Sequence, residues 1–143
     1  MNPNLVLIER RGPAGVLTLN RPEKRNALSR ALVAALGSRL AEAVSDPAVR
    51  VVVLAANGPV FCAGLDLDEL AELMKQPDAR DVMQHGARQL AAVYRALATC
   101  AKPTVAAVHG PAVAGGAGLV TACDLAIATP QAKFGYPEVR RGI

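Results

Sequence analysis

The apolar positions of the 143-residue chain change period several times, and each change marks an element. Leu5–Glu9 and Gly15–Asn20 alternate as two short strands around an Arg-Gly-Pro-Ala-Gly turn, a hairpin signal closed by Asn20-Arg21-Pro22. From Leu28 the spacing becomes helical: Leu28, Leu32, Leu36, Leu40 and Val44 form one stripe, Val33 lies beside it, and Asp46-Pro47 stops it. Val49–Ala55 is a continuous β-rich run, as expected for a strand buried on both faces. After an Asn-Gly-Pro turn, Val60–Gly64 leads into an acidic helix start at Asp66, Asp68, Glu69 and Glu72. A second long helix is expected from about Asp81 to Thr99, with Met83, Leu90, Val93 and Leu97 on one face. Pro103–Val108 and Leu125–Ala128 read as further buried strands. This alternation places the chain in the α/β class with a largely parallel sheet, and the absence of repeats or linkers makes residues 1–143 a single domain.

Composition narrows the function classes. Apolar residues make up 52% and charged residues 20%, which excludes a disordered chain. Aromatics are only 3%, so the core is Ala, Val and Leu, and stacking platforms for single-stranded nucleic acid are not expected. The net charge is +4, but the 16 Lys and Arg are scattered; this mildly favours anionic ligands and marks no DNA-binding face. Cys62, Cys100 and Cys123 form no CxxC pair, so free thiols in a reducing cytoplasm are expected. The apolar run Leu5–Ile8 is too short for a signal peptide. The uncharged stretch 103–123 is long enough to span a bilayer, but its prolines, His109 and clustered glycines make it a strand, a glycine loop and a helix start, so no membrane partner is expected.

Two loops carry candidate chemistry, each after a buried strand, where parallel α/β sheets bind ligands. One delivers Cys62-Ala63-Gly64, the other Ala114-Gly115-Gly116-Ala117-Gly118. Small residues at a helix start let a ligand oxygen approach unpaired backbone N–H groups, and two such donors would form an oxyanion hole. The same glycines would equally serve close helix–strand packing. The cluster is neither G-x-G-x-x-G nor a lysine-bearing phosphate loop. Ser29, Ser38 and Ser45 lie in or beside the first helix with no nucleophile elbow, and Cys62 reads as a buried apolar residue. His85 is expected at the surface and His109 on a backbone partner, with no spacing that suits a metal. Glu138 follows a long apolar region behind the rigid Pro137; a carboxylate in such surroundings suits proton transfer, although a surface pair with Arg140 or Arg141 is the simpler reading of it alone.

These pieces occur in one order: Asn26-Ala27-Leu28, then Val60-Phe61-Cys62-Ala63-Gly64-Leu65-Asp66-Leu67, Lys102–Gly110, Ala114-Gly115-Gly116, Cys123–Ala128, and Phe134-Gly135-Tyr136-Pro137-Glu138. The ordered set resembles the enoyl-CoA hydratase/isomerase (crotonase) family. The resemblance implies a ClpP/crotonase spiral of ββα units and an acyl-CoA thioester as substrate, with no separate cofactor and no metal. It implies that the N–H groups of Ala63 and Gly115 hold the thioester oxygen as it becomes an enolate, with Glu138 as general acid and base. Ala63, Gly64, Leu65 and Asp66 would wrap the thioester and pantetheine, Lys24 and Arg25 would lie near the CoA nucleotide end, and Ala27, Gly115 and Gly116 would also bind the substrate. Family hydratases usually carry a further glutamate where this chain has Gly118, so isomerisation between the 3-enoyl and 2-enoyl forms is one alternative and a non-catalytic acyl-CoA-binding fragment another. Members assemble as trimers or dimers of trimers and continue beyond Ile143 into C-terminal helices, so the chain reads as a truncated core.

Overall fold

The computed structural model describes residues 4–140. Strands β1 (Val6–Arg11) and β2 (Ala14–Leu19) form the expected hairpin, but its loop is only Gly12-Pro13, with Gly12 at φ +58°. Arg11 pairs with Ala14, so both strands reach further into the turn than their alternation indicates. Helix α1 (Arg30–Ser45) follows, capped by Ser29, whose hydroxyl accepts the Leu32 N–H at 3.2 Å. Leu32, Leu36 and Leu40 are buried, as their spacing requires, and α1 lies against β1 and β2.

Strand β3 (Val51–Ala56) leads through the Val60–Asp66 loop to α2 (Leu67–Leu73), capped by Asp66, and then to α3 (Ala79–Ala98), which packs on α1. The rest of the chain forms β4 (Thr104–Val108), β5 (Ala112–Val113), α4 (Gly115–Thr121), β6 (Leu125–Ala128), β7 (Phe134–Gly135) and a short 3-10 turn at Pro137–Arg140. The main sheet runs β1-β2-β3-β4-β6, antiparallel at β1–β2 and parallel thereafter; β5 and β7 form a separate parallel pair.

Three expectations about burial are corrected. In β3, Val52 and Leu54 are buried while Val51 and Val53 are only half-buried, so one face of the strand is covered and the other partly open. Strand β4 alternates in the same way, and all four residues of β6 are exposed at the sheet edge. A run of apolar residues reports a preference for burial, and the covering layer must come from elsewhere. On α3, which packs against other helices, Val93 and Leu97 are buried and Leu90 half-buried, but Met83, near the helix start, is exposed. Among the described residues, no helix is long and apolar enough to cross a membrane.

Candidate active site

Two loops meet beneath α3. The first is fixed by Asn26, which is fully buried and is the second of two consecutive left-handed residues, Arg25 and Asn26, both at φ +52°. Its Oδ1 accepts the Arg21 N–H, and its Nδ2 donates to the carbonyls of Asn57 and Val60, each at 2.8 Å. One side chain thereby ties the turn at Arg21–Asn26 to the loop after β3. The Arg21 guanidinium adds bonds to the Ala27 carbonyl and to Asp66. Asp66 is buried; burial alone would raise its carboxyl, but the Glu69 N–H and Arg21 outweigh that and hold it below its ordinary value.

Successive N–H groups of this loop have identifiable partners. Cys62 donates to Pro111 O at 3.2 Å, Ala63 to Arg25 O at 3.0 Å and Asp66 to Leu28 O at 3.3 Å, while the Gly64 N–H points at the Cys62 sulfur. Only the Leu65 N–H within 62–66 has no acceptor among the described residues. The Ala63 N–H expected in the oxyanion hole is therefore already engaged. Gly64, at φ +88°, turns the chain between these two peptides, and that turn redirects the free donor to Leu65.

The second loop abuts the first at Gly64. A methyl group at Gly64 would lie 2.6 Å from the Ala114 Cβ and 3.4 Å from the Gly115 nitrogen, so only glycine lets the backbones come this close. Ala114 adopts φ +53°, ψ −127°, a conformation normally left to glycine. Its side chain cannot cap α4, and the first intrahelical donor is Gly118, leaving the Gly115 N–H unpaired within the helix. Gly115 and Gly64 are thus neighbours, and Gly116 packs directly on Cys62.

Tyr94 of α3 closes over this junction, a position that nothing in the sequence reading singled out. Its only signal is its place beside Val93 and Leu97 on the apolar face. The phenol donates to the Gly115 carbonyl at 2.8 Å. Burial, with added repulsion from Cys62, Tyr136 and Glu138, pushes it up to about 12. Burial likewise pushes the Cys62 thiol up to about 11, so it stays protonated and apolar, as expected.

Glu138 lies on the turn after β7, which is hydrogen-bonded to β5 and to the Ala114 N–H, so the second loop carries it toward the same junction. Its Oε2 is buried with no hydrogen-bond partner among the described residues, and it forms no ion pair with Arg140. Arg141 lies outside the described residues. The other expected binding residues divide. Gly64 and Gly116 are buried and Leu65 exposed at the junction; Asp66 is committed to Arg21 and the α2 cap, which removes its carboxylate from ligand contact. Lys24 is exposed and pairs with Asp68, Arg25 is exposed, and Ala27 is half-buried. His85 is exposed and His109 meets the Gly58 carbonyl at 2.6 Å, both as expected.

The family model for enoyl-CoA hydratase/isomerase matches residues 10–143. The chain belongs to this family. It is 44% identical to a Thermus thermophilus protein named as an enoyl-CoA hydratase, over 96% of this chain and 53% of that one. It is 38% identical to the 2,3-dehydroadipyl-CoA hydratase of Escherichia coli, over 96% of this chain and 51% of that one. A Legionella pneumophila crystal structure titled as an enoyl-CoA hydratase/isomerase (crotonase) superposes with a TM-score of 0.90 at 37% identity, covering 98% of this chain and 53% of that one. The fold is therefore the crotonase fold, and the chain spans about half the length of the relatives it matches.

Proposed function

We propose that this site carries out enolate chemistry on an enoyl-CoA thioester, moving a proton between carbons through Glu138. The observation that carries this reading is the buried, unpartnered Glu138 Oε2 beside a junction of two loops with unpaired N–H groups. A buried carboxylate oxygen without a donor is unfavourable unless a ligand completes it. The Gly115 N–H and the Leu65 N–H serve as the two oxyanion donors, in place of the Ala63–Gly115 pair that the resemblance alone implies. In a 3-enoyl thioester, the Glu138 carboxylate removes a C2 proton, charge moves to the thioester oxygen between the two donors, and the double bond shifts. The carboxylic acid so formed returns the proton at C4. Gly118 offers no second carboxylate to activate water, so isomerisation is favoured over hydration. The loop 63–66 covers the thioester, and exposed Arg25 lies toward the phosphates of CoA.

Incubation with 3-enoyl-CoA and, separately, 2-enoyl-CoA tests the assignment. Isomerisation of the first should exceed hydration of the second, and Glu138→Gln should lower the isomerisation rate by roughly 10²-fold or more. Full activity in Glu138→Gln removes the carboxylate from the mechanism. Thioester binding without turnover of either substrate would leave acyl-CoA binding as the function.

A further inference from the structure

The Tyr94 phenol touches both ends of the first turn of α4. It donates to the Gly115 carbonyl at 2.8 Å, and a methyl group at Gly118 would lie 2.8 Å from its oxygen and 2.9 Å from its Cζ. A methyl group at Gly115 would lie 3.1 Å from the same oxygen. The ring thus stands in the volume that a side chain at position 118 needs. Its position also makes it sense the charge of Glu138, and because burial pushes it up to about 12 it keeps its proton near neutral pH and so remains able to donate to the Gly115 carbonyl.

We propose that Tyr94 is the positioning residue of this site: it holds the Gly115 peptide through its carbonyl and fills the space over Gly118, so that proton transfer falls to Glu138 alone. This deepens the reading above and rests on it for its catalytic consequence. A hydrogen bond to the Gly115 carbonyl holds the Gly115–Gly116 peptide and, through the φ and ψ of Gly115, restrains the adjoining Ala114–Gly115 peptide whose N–H is offered to the thioester oxygen. A ring over Gly118 excludes a second carboxylate, and with it the residue pair that would orient a water for hydration.

Three substitutions in the full chain separate the parts. Tyr94→Phe keeps the ring and removes the donor. It should lower kcat for isomerisation by roughly 10- to 10²-fold, as misplacement of a catalytic group does. KM should stay within about twofold, because transition-state rather than ground-state binding is lost. The Gly115 amide resonance should also shift in the free protein. Unchanged kcat together with an unmoved Gly115 amide overturns the positioning role. If wild type turns over neither thioester, the enzymatic reading fails, yet the Gly115 amide in Tyr94→Phe still decides for or against the hold. Gly118→Ala tests the space. It should lower Tm in wild type and raise or preserve it in Tyr94→Ala, since alanine otherwise favours a helix over glycine. An equal effect in both backgrounds overturns the claim that Tyr94 occupies that volume.

Discussion

Asn26 shows how much of the site depends on one side chain. One of its three hydrogen bonds closes the Arg21–Leu28 turn and two join that turn to the loop after β3, and Leu28 then donates its N–H to the Gly64 carbonyl and accepts the Asp66 N–H. Removing the amide leaves two part-buried carbonyls and one part-buried N–H without their side-chain partner, each costing up to about 1–3 kcal/mol. Asn26→Ala should therefore destabilise the chain by about 2–3 kcal/mol, with added cost from the left-handed backbone. Asn26→Gly removes the backbone part of that cost, so urea unfolding of the two variants separates hydrogen bonding from conformation. If both unfold like wild type, the amide is not the link. The motif that contains Asn26 was readable in the sequence, but its work was not. Nothing in the letters says that the side chain faces inward across two loops. The proposed oxyanion donors illustrate the same gap: whether the N–H of Ala63 or of Leu65 is left unpaired depends on the φ angle of Gly64 and on the carbonyl of Arg25, both set by the folded chain.

Among the elements, the helices were the most legible, because Leu32, Leu36 and Leu40 repeat at a period that only one local structure satisfies. Strand positions were also readable, but their burial was not: β6 has the composition of an inner strand and lies fully exposed. Helix α4 is informative for a different reason. Its entry combines a strained Ala114 with an obligatory Gly64, the two facing each other. Ala114→Gly relieves strain worth about 1–3 kcal/mol and adds about 0.5–1 kcal/mol of unfolded-chain entropy cost, so a net stabilisation near 1 kcal/mol is expected. Gly64→Ala meets both a left-handed φ and the Ala114 methyl, and should abolish thioester binding while lowering Tm. Adding Ala114→Gly to Gly64→Ala removes the methyl clash but not the φ penalty, so Tm should recover only in part. Full recovery would show that crowding alone makes glycine necessary at position 64.

At the scale of the whole molecule, the two edges of the main sheet differ. Strand β1 ends in Glu9-Arg10-Arg11, charges that discourage pairing with another chain, whereas β6 is the uncharged Leu-Ala-Ile-Ala. Leu125 and Ile127 are 62% and 69% exposed, and Phe134, Tyr136 and Val139 in the segment that follows are exposed as well. An unprotected apolar edge beside further apolar residues marks an association surface. The opposing consideration is the core: Leu17, Leu19, Leu32, Leu36, Leu54, Phe61 and Leu119 are fully buried within the chain, so folding does not require the edge to be covered. The two effects act on different equilibria, the core on folding and the edge on self-association, and so both hold together. The chain should unfold cooperatively yet associate as its concentration rises. Ile127→Lys places a charge on β6 without touching the core, and should shift sedimentation or light scattering toward monomer while leaving Tm nearly unchanged. A wild-type chain that stays monomeric over the same concentration range would show that the exposed strand is too short, or too twisted, to recruit a second copy.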